Sequence, residues 1–173
     1  MQIKIVIIGF LIGSSYLLGE SVHKMFISRH KQINEMIRLL EIIRMDLSFG
    51  MYTLGEIFGR LSEKCMNCYS EFFEEISGGL MSDEGKTLDE VVGENIDLLK
   101  QDTYLSQNEL DEISNLITVL GRSDVDSQQR MIDLTVENLK KITYESKEDI
   151  SKKGVLYKKL ITFVGIGICI IFF

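Results

Sequence analysis

Cys65-Met-Asn-Cys68 is the one motif in this chain whose spacing chemistry commonly uses. Two thiols so placed are the redox pair of a disulfide exchanger or half of a tetrahedral zinc site. The redox use wants a βαβ setting, and no strand pattern flanks the pair. The zinc use wants two more ligands. Cys169 lies in an apolar terminal run, which leaves a second chain or the distant His23 and His30. The favoured reading is two small, partly buried, reduced thiols of a cytoplasmic domain, with redox and metal roles as rivals. His23 and His30 are seven residues apart and share a helix face, with no Cys or carboxylate in register between them. They read as interfacial polar residues rather than ligands. No phosphate-cradling Gly-x-x-x-x-Gly-Lys-Ser/Thr, Gly-x-Ser-x-Gly elbow or His-Glu-x-x-His occurs. The expectation is therefore no catalytic residue, no cofactor, no metal, no small-molecule substrate and no enzyme. A net charge of −7 argues against nucleic acid as a partner.

The other unusual stretch is Leu120-Gly-Arg-Ser-Asp-Val-Asp-Ser-Gln128. Gly121 suits a left-handed helix end, and Ser123 suits the cap of the next helix, with Asp124 and Asp126 facing the positive end of its dipole. Arg122 is surplus to that hinge. It either meets a partner or pairs with a nearby acid. Gly121, Arg122, Ser123, Asp124 and Gln128 are the candidate partner-contact residues. The acidic 82–97 stretch is a second candidate surface, although its charges also suit a solvated helix face.

Helices must position all of these groups. No run alternates with period two, and the chain has no proline. Thr53-Leu-Gly-Glu56, Thr87-Leu-Asp-Glu90 and Ser106-Gln-Asn-Glu109 read as capping boxes, and Ser123-Asp-Val-Asp126 as a variant. Helices follow at about 2–48, 54–66, 68–78, 88–101, 107–120 and 124–172, with Gly154 as a kink point. Ile33, Met36, Ile37, Leu40, Ile43 and Leu47 make one apolar stripe. Val125, Met131, Ile132, Thr135, Leu139 and Ile142 make another. The shorter helices supply their partners, from Leu54, Ile57, Phe58 and Leu61 through Leu116, Ile117 and Leu120. The fold class is all-α, a cytoplasmic bundle of about six helices over 20–159, becoming a Lys-rich stalk beyond Asp149.

The ends are different. Lys4 is the only charge before Glu20, and none follows Lys159, so 44 of the 45 charged side chains lie in 20–159. Without Lys4, the net −7 becomes −8 for that middle. The runs 5–19 and 160–173 are uncharged. Extended to 1–19 and 155–173, each helix measures about 28 Å, close to a bilayer core of about 30 Å. The first run can be a signal peptide, a core helix or a membrane helix. The lack of an Ala-x-Ala-like site before Glu20 favours the membrane helix. The expected organisation is a transmembrane helix at 1–19, a bundle at 20–159, and a second transmembrane helix at 160–173, starting near 155 on the longer count. Gly9, Gly13, Gly165 and Gly167 are candidates for close helix packing, against a plain reading of incidental glycines. The basic residues lie on the domain side of both runs, placing the domain in the cytoplasm.

In this order, the residues resemble the stage III sporulation protein AB family of spore-forming Firmicutes. The likeness runs through Arg29-His-Lys-Gln-Ile-Asn-Glu-Met36, Leu39-Leu-Glu-Ile-Ile-Arg-Met-Asp-Leu-Ser-Phe-Gly50 and Thr53–Leu61, then Leu120–Gln128 and the terminal run. Thr53 stands where the family often has Pro, Val91 or Val92 where it often has Trp, and the Cys pair is not a family trait. The resemblance implies a subunit of the channel complex between mother cell and forespore. That subunit would sit in the outer forespore membrane with its domain in mother-cell cytoplasm. The family is in turn similar to the inner-membrane platform protein of type II secretion and type IV pilus systems. That likeness implies partners among the channel subunits and a secretion-type ATPase, with homo-oligomerisation open. The rival functions are a membrane-anchored thiol protein using Cys65 and Cys68, and a signalling adaptor working through the bundle alone.

Overall fold

The computed structural model describes residues 2–82 and 85–172, with side chains at 9–10, 12–82 and 85–168. The described residues are helical, with no strand among them: α1 Gln2–Phe49, α2 Leu54–Ser62, α3 Asn67–Met81, α4 Leu88–Asp102, α5 Gln107–Val119, α6 Val125–Asp149, a π turn Ile150–Gly154, and α7 Val155–Phe172. Two compact units result. One comprises 31–143, and the other joins 1–30 to 144–173.

The 31–143 unit is an up-and-down bundle of six helical segments. Its first and last segments, α1 and α6, pair antiparallel. Gln129 Nε2 donates to Ser48 Oγ at 2.8 Å, Arg44 meets Asp133 at 2.8 Å, and Lys140 meets Glu41 at 3.2 Å. Short connections then alternate between two ends. Residues 50–53, 82, 85–87 and 120–124 form one, here termed the loop end. Residues 63–66 and 103–106 form the other, where the chain also enters at Lys31 and leaves at Thr143.

Helix starts follow the capping chemistry of the sequence. Thr53 and Glu56 close a reciprocal capping box at α2, as do Thr87 and Glu90 at α4 and Ser106 and Glu109 at α5. Each satisfies N–H groups that the first turn leaves orphaned. The start of α6 differs from expectation by one residue. Asp124, not Ser123, is the cap: its carboxylate accepts from Ser127 N–H at 2.9 Å and from Ser127 Oγ at 2.6 Å. Asp is as good a cap as Ser, and carries charge onto the helix dipole.

Ile33, Met36, Ile37, Leu40 and Ile43 of the α1 stripe are buried, joined by Leu39; Leu47 is partly buried. In α6, Ile132, Thr135 and Leu139 face inward, but Val125 and Met131 are exposed and Val136 takes an inner place. Val125 opens α6 at the loop end, beyond the reach of the facing helices. Phe58, Phe72 and Phe73 fill the centre, Phe58 stacking on Phe73 at 5.8 Å between centroids and Phe72 meeting Phe73 edge-on at 5.4 Å. Tyr69 is fully buried and donates its hydroxyl to Gln32 O at 2.9 Å. The helices α2 and α3 approach closely through small residues. A Cβ at Gly59 would sit 2.8 Å from Ser77 Oγ, which itself donates to Gly55 O at 2.8 Å.

In the 1–30/144–173 unit, α1 and α7 touch at Gly19, where a Cβ would lie 3.1 Å from Lys158 O. Lys158 pairs with Glu20 at 2.6 Å, and Phe26 stacks on Tyr157 at 6.3 Å. His30 Nδ1 lies 2.8 Å from Ser146 Oγ. Gly154, last of the π turn, admits the ring of His23: an added Cβ would stand 2.9 Å from His23 Nδ1. Among the described residues, no helix is long and apolar enough to cross a membrane. The expected transmembrane runs continue into side chains 1–8 and 169–173, which lie outside those described.

Candidate functional site

The loop end of the 31–143 unit gathers the two stretches singled out from sequence. The Gly121–Asp124 turn follows α5, and the acidic helix α4 begins beside it. Arg122 Nη2 meets Asp89 Oδ2 at 3.3 Å, and both side chains are open to solvent, at 59% and 60%. The sequence left Arg122 between partner contact and ion pair. The structure supplies the ion pair and keeps most of the guanidinium exposed.

The remaining turn residues have visible structural work. Gly121 adopts φ +81°, and a Cβ there would meet Leu54 Cδ1 at 2.8 Å, so both conformation and space call for glycine. Gln128 is buried and donates Nε2 to Ser123 O at 2.6 Å, bracing the turn from within. Asp124 caps α6, and the hydrogen bonds from Ser127 hold its carboxyl below the usual carboxylate range. Ser123 is exposed.

Sequence reasoning missed the apolar part of this end. Phe49 is 70% exposed and Met51 74%, with Tyr52, Met81 and Val125 also open. Arg60 lies 4.2 Å over the Tyr52 ring and holds it at the surface. Flexible Met side chains beside aromatics, rimmed by charge, are the composition of protein-binding patches. The signal was present, because Phe49 ends α1 and Gly50-Met-Tyr52 follows it outside any helix, where no helical face can bury it.

The thiols sit at the opposite end of this unit, at the α2–α3 joint. Both are partly buried, and burial raises both, Cys65 to about 11. A thiol so raised is almost wholly protonated at neutral pH, the opposite of an activated nucleophile. Nearby, Glu35 binds Arg38 at 2.6 Å and accepts from Met66 N–H at 3.3 Å, and the arginine holds its carboxyl low. No three His, Cys, Asp or Glu side chains converge as a metal site among the described residues.

In the terminal unit, a Cβ added at Gly9, Gly13 or Gly167 would meet nothing among the described residues, and Gly165 is buried. Among the described residues of this unit, close approaches occur at Gly19 and Gly154, which no local motif marks.

An all-α bundle whose first and last helices continue into apolar terminal runs is the class of protein these elements define. The chain belongs to the stage III sporulation protein AB family, whose model matches residues 4–173, and membership gives it a role in sporulation. Neither a curated protein nor a solved structure matches it significantly.

Proposed function

We propose that this protein is a non-enzymatic membrane platform subunit of the channel complex between mother cell and forespore. Its bundle meets a cytoplasmic secretion-type ATPase, and its apolar terminal helices meet other channel subunits. The observation that carries the reading is the loop end. There an exposed Met- and aromatic-rich patch adjoins the Arg122–Asp89 pair and the acidic start of α4. Support for membrane insertion comes from the uncharged runs 5–19 and 160–173, which reach about 28 Å when extended to 1–19 and 155–173, and from the basic residues on their domain side. The thiol-protein alternative has the raised Cys65 and Cys68 against it.

A photocrosslinker placed at Met51 or Val125 in sporulating cells tests the docking surface. Capture of a secretion-type ATPase is expected from these positions and not from Lys140 on the α1–α6 flank. Equal capture from the flank, or capture of the ATPase from neither loop position, overturns the assignment.

A further inference from the structure

The terminal unit contains an apolar groove of about 420 Å³ that the channel reading leaves unused. Tyr16, Val155, Phe163 and Ile166 supply its apolar wall, with the His23 ring and Thr162 beside them. Two lysines stand at its rim, and they differ. Lys158 is already engaged, 2.6 Å from Glu20 and 5.3 Å from the centre of the Tyr16 ring. Lys159 also lines the groove, but forms no ion pair with the described residues. An almost wholly apolar slot with one uncommitted cation at its mouth is complementary to an acyl chain joined to an anion. Its volume falls within the range of small-ligand sites.

We infer that this groove holds one anionic phospholipid, its acyl chain along Phe163 and Ile166 and its phosphate on the Lys159 ammonium. The inference rests on the reading that the two apolar runs lie in a bilayer. Zwitterionic lipid carries the same chains, so the lysine is what makes the site selective. Lys158 cannot serve equally, because Glu20 neutralises it. Gly154 contributes by leaving room for the His23 ring, which keeps that ring at the groove wall. His23 Nδ1 is buried there without a hydrogen-bond partner among the described residues.

The chain has no tryptophan, so Phe163→Trp makes the groove the sole indole reporter. The full-length variant is reconstituted in mixed phosphatidylcholine–phosphatidylglycerol vesicles. Brominated chains are placed on one lipid at a time, at equal mole fraction. Quenching should indicate about fivefold enrichment of phosphatidylglycerol over phosphatidylcholine around the introduced indole, the preference one lysine near an anionic headgroup provides. Adding Lys159→Gln should remove that preference while leaving quenching by both lipids. Equal quenching by the two lipids before that change overturns the site but not membrane insertion. Absence of quenching by either, with the protein floating with the vesicles, overturns the lipid assignment and means that a protein segment or second copy fills the groove. Failure to float with vesicles overturns the membrane reading itself.

Discussion

Replacing Arg122 by Glu separates the two roles the loop-end turn can have. In the fold, Arg122 makes one contact of note, the 3.3 Å pair with Asp89, and both partners are about three-fifths exposed. Pairs of that kind contribute about 0–1 kcal/mol, and the like charges created by the substitution repel on a similar scale. For a chain of this size, 1 kcal/mol moves Tm by about 2–4 °C. The purified full-length variant should therefore melt within a few degrees of the parent. A partner anchored on the guanidinium would lose at least about 2 kcal/mol, roughly a thirtyfold loss of affinity. Heat-resistant spore counts should thus fall steeply while the melting curve barely moves. The reversed pair, Arg122→Glu with Asp89→Arg, adds a control. It restores the internal ion pair but not the charge offered to a partner, so sporulation should stay defective. A normal spore count in the single variant refutes the reasoning. So does full rescue by the reversed pair, which would make the contact purely structural.

Gly121→Ala should cost about 1–3 kcal/mol, measured by thermal unfolding, because it forces a positive φ on alanine and sets a Cβ 2.8 Å from Leu54. Neighbouring glycines of α3 should respond with opposite signs. Gly79→Ala drives a Cβ to 2.6 Å from Val91 Cγ1 and should destabilise by about 1–3 kcal/mol, whereas Gly78→Ala meets open space and should stabilise by up to about 1 kcal/mol. Equal effects at the two sites in chemical denaturation would contradict this packing. Because burial keeps the Cys65 proton on in the folded state, the unfolded thiol ionises first. Stability should then decline as pH rises from the ordinary thiol value of 9.0 toward about 11, and Cys65→Ser should remove part of that decline. Cys65→Ser with Cys68→Ser should leave spore formation intact; its loss would revive the thiol-protein alternative.

The parts of this molecule legible in the sequence are those decided within four residues along the chain. The capping boxes at Thr53, Thr87 and Ser106 exchange their hydrogen bonds inside one turn, so the residue pattern suffices. The α1 stripe likewise reads directly, because one helix face points one way. The Asp124 cap was displaced by one residue because Ser123 and Asp124 are both competent, and the choice depends on how the turn after Gly121 closes. Tyr69 was overlooked as core because its burial requires an acceptor 37 residues away, Gln32 O. Val125 and Met131 belong to the apolar stripe read for α6 but are exposed in the fold. The Arg122–Asp89 pair and the Gly19 and Gly154 contacts join residues far apart in sequence, and no local spacing encodes them.

The π turn at 150–154 has a consequence for how this chain tolerates length change. A turn closed by i→i+5 hydrogen bonds holds one residue more than an α turn. In an α-helix, each residue advances the side-chain direction by about 100°. The extra residue is therefore taken up within one wider turn, and α7 leaves the last turn of α6 in nearly the phase of an uninterrupted α-helix one residue shorter. Loss of a single codon from this segment would let the helix run on as regular α. The residues downstream would keep nearly their present directions, leaving Tyr157 on Phe26 and Lys158 on Glu20. Elsewhere in a long helix a one-residue deletion has no such ready-made slack to absorb it. A one-residue length difference among related chains at this point would therefore leave helix phase nearly unchanged.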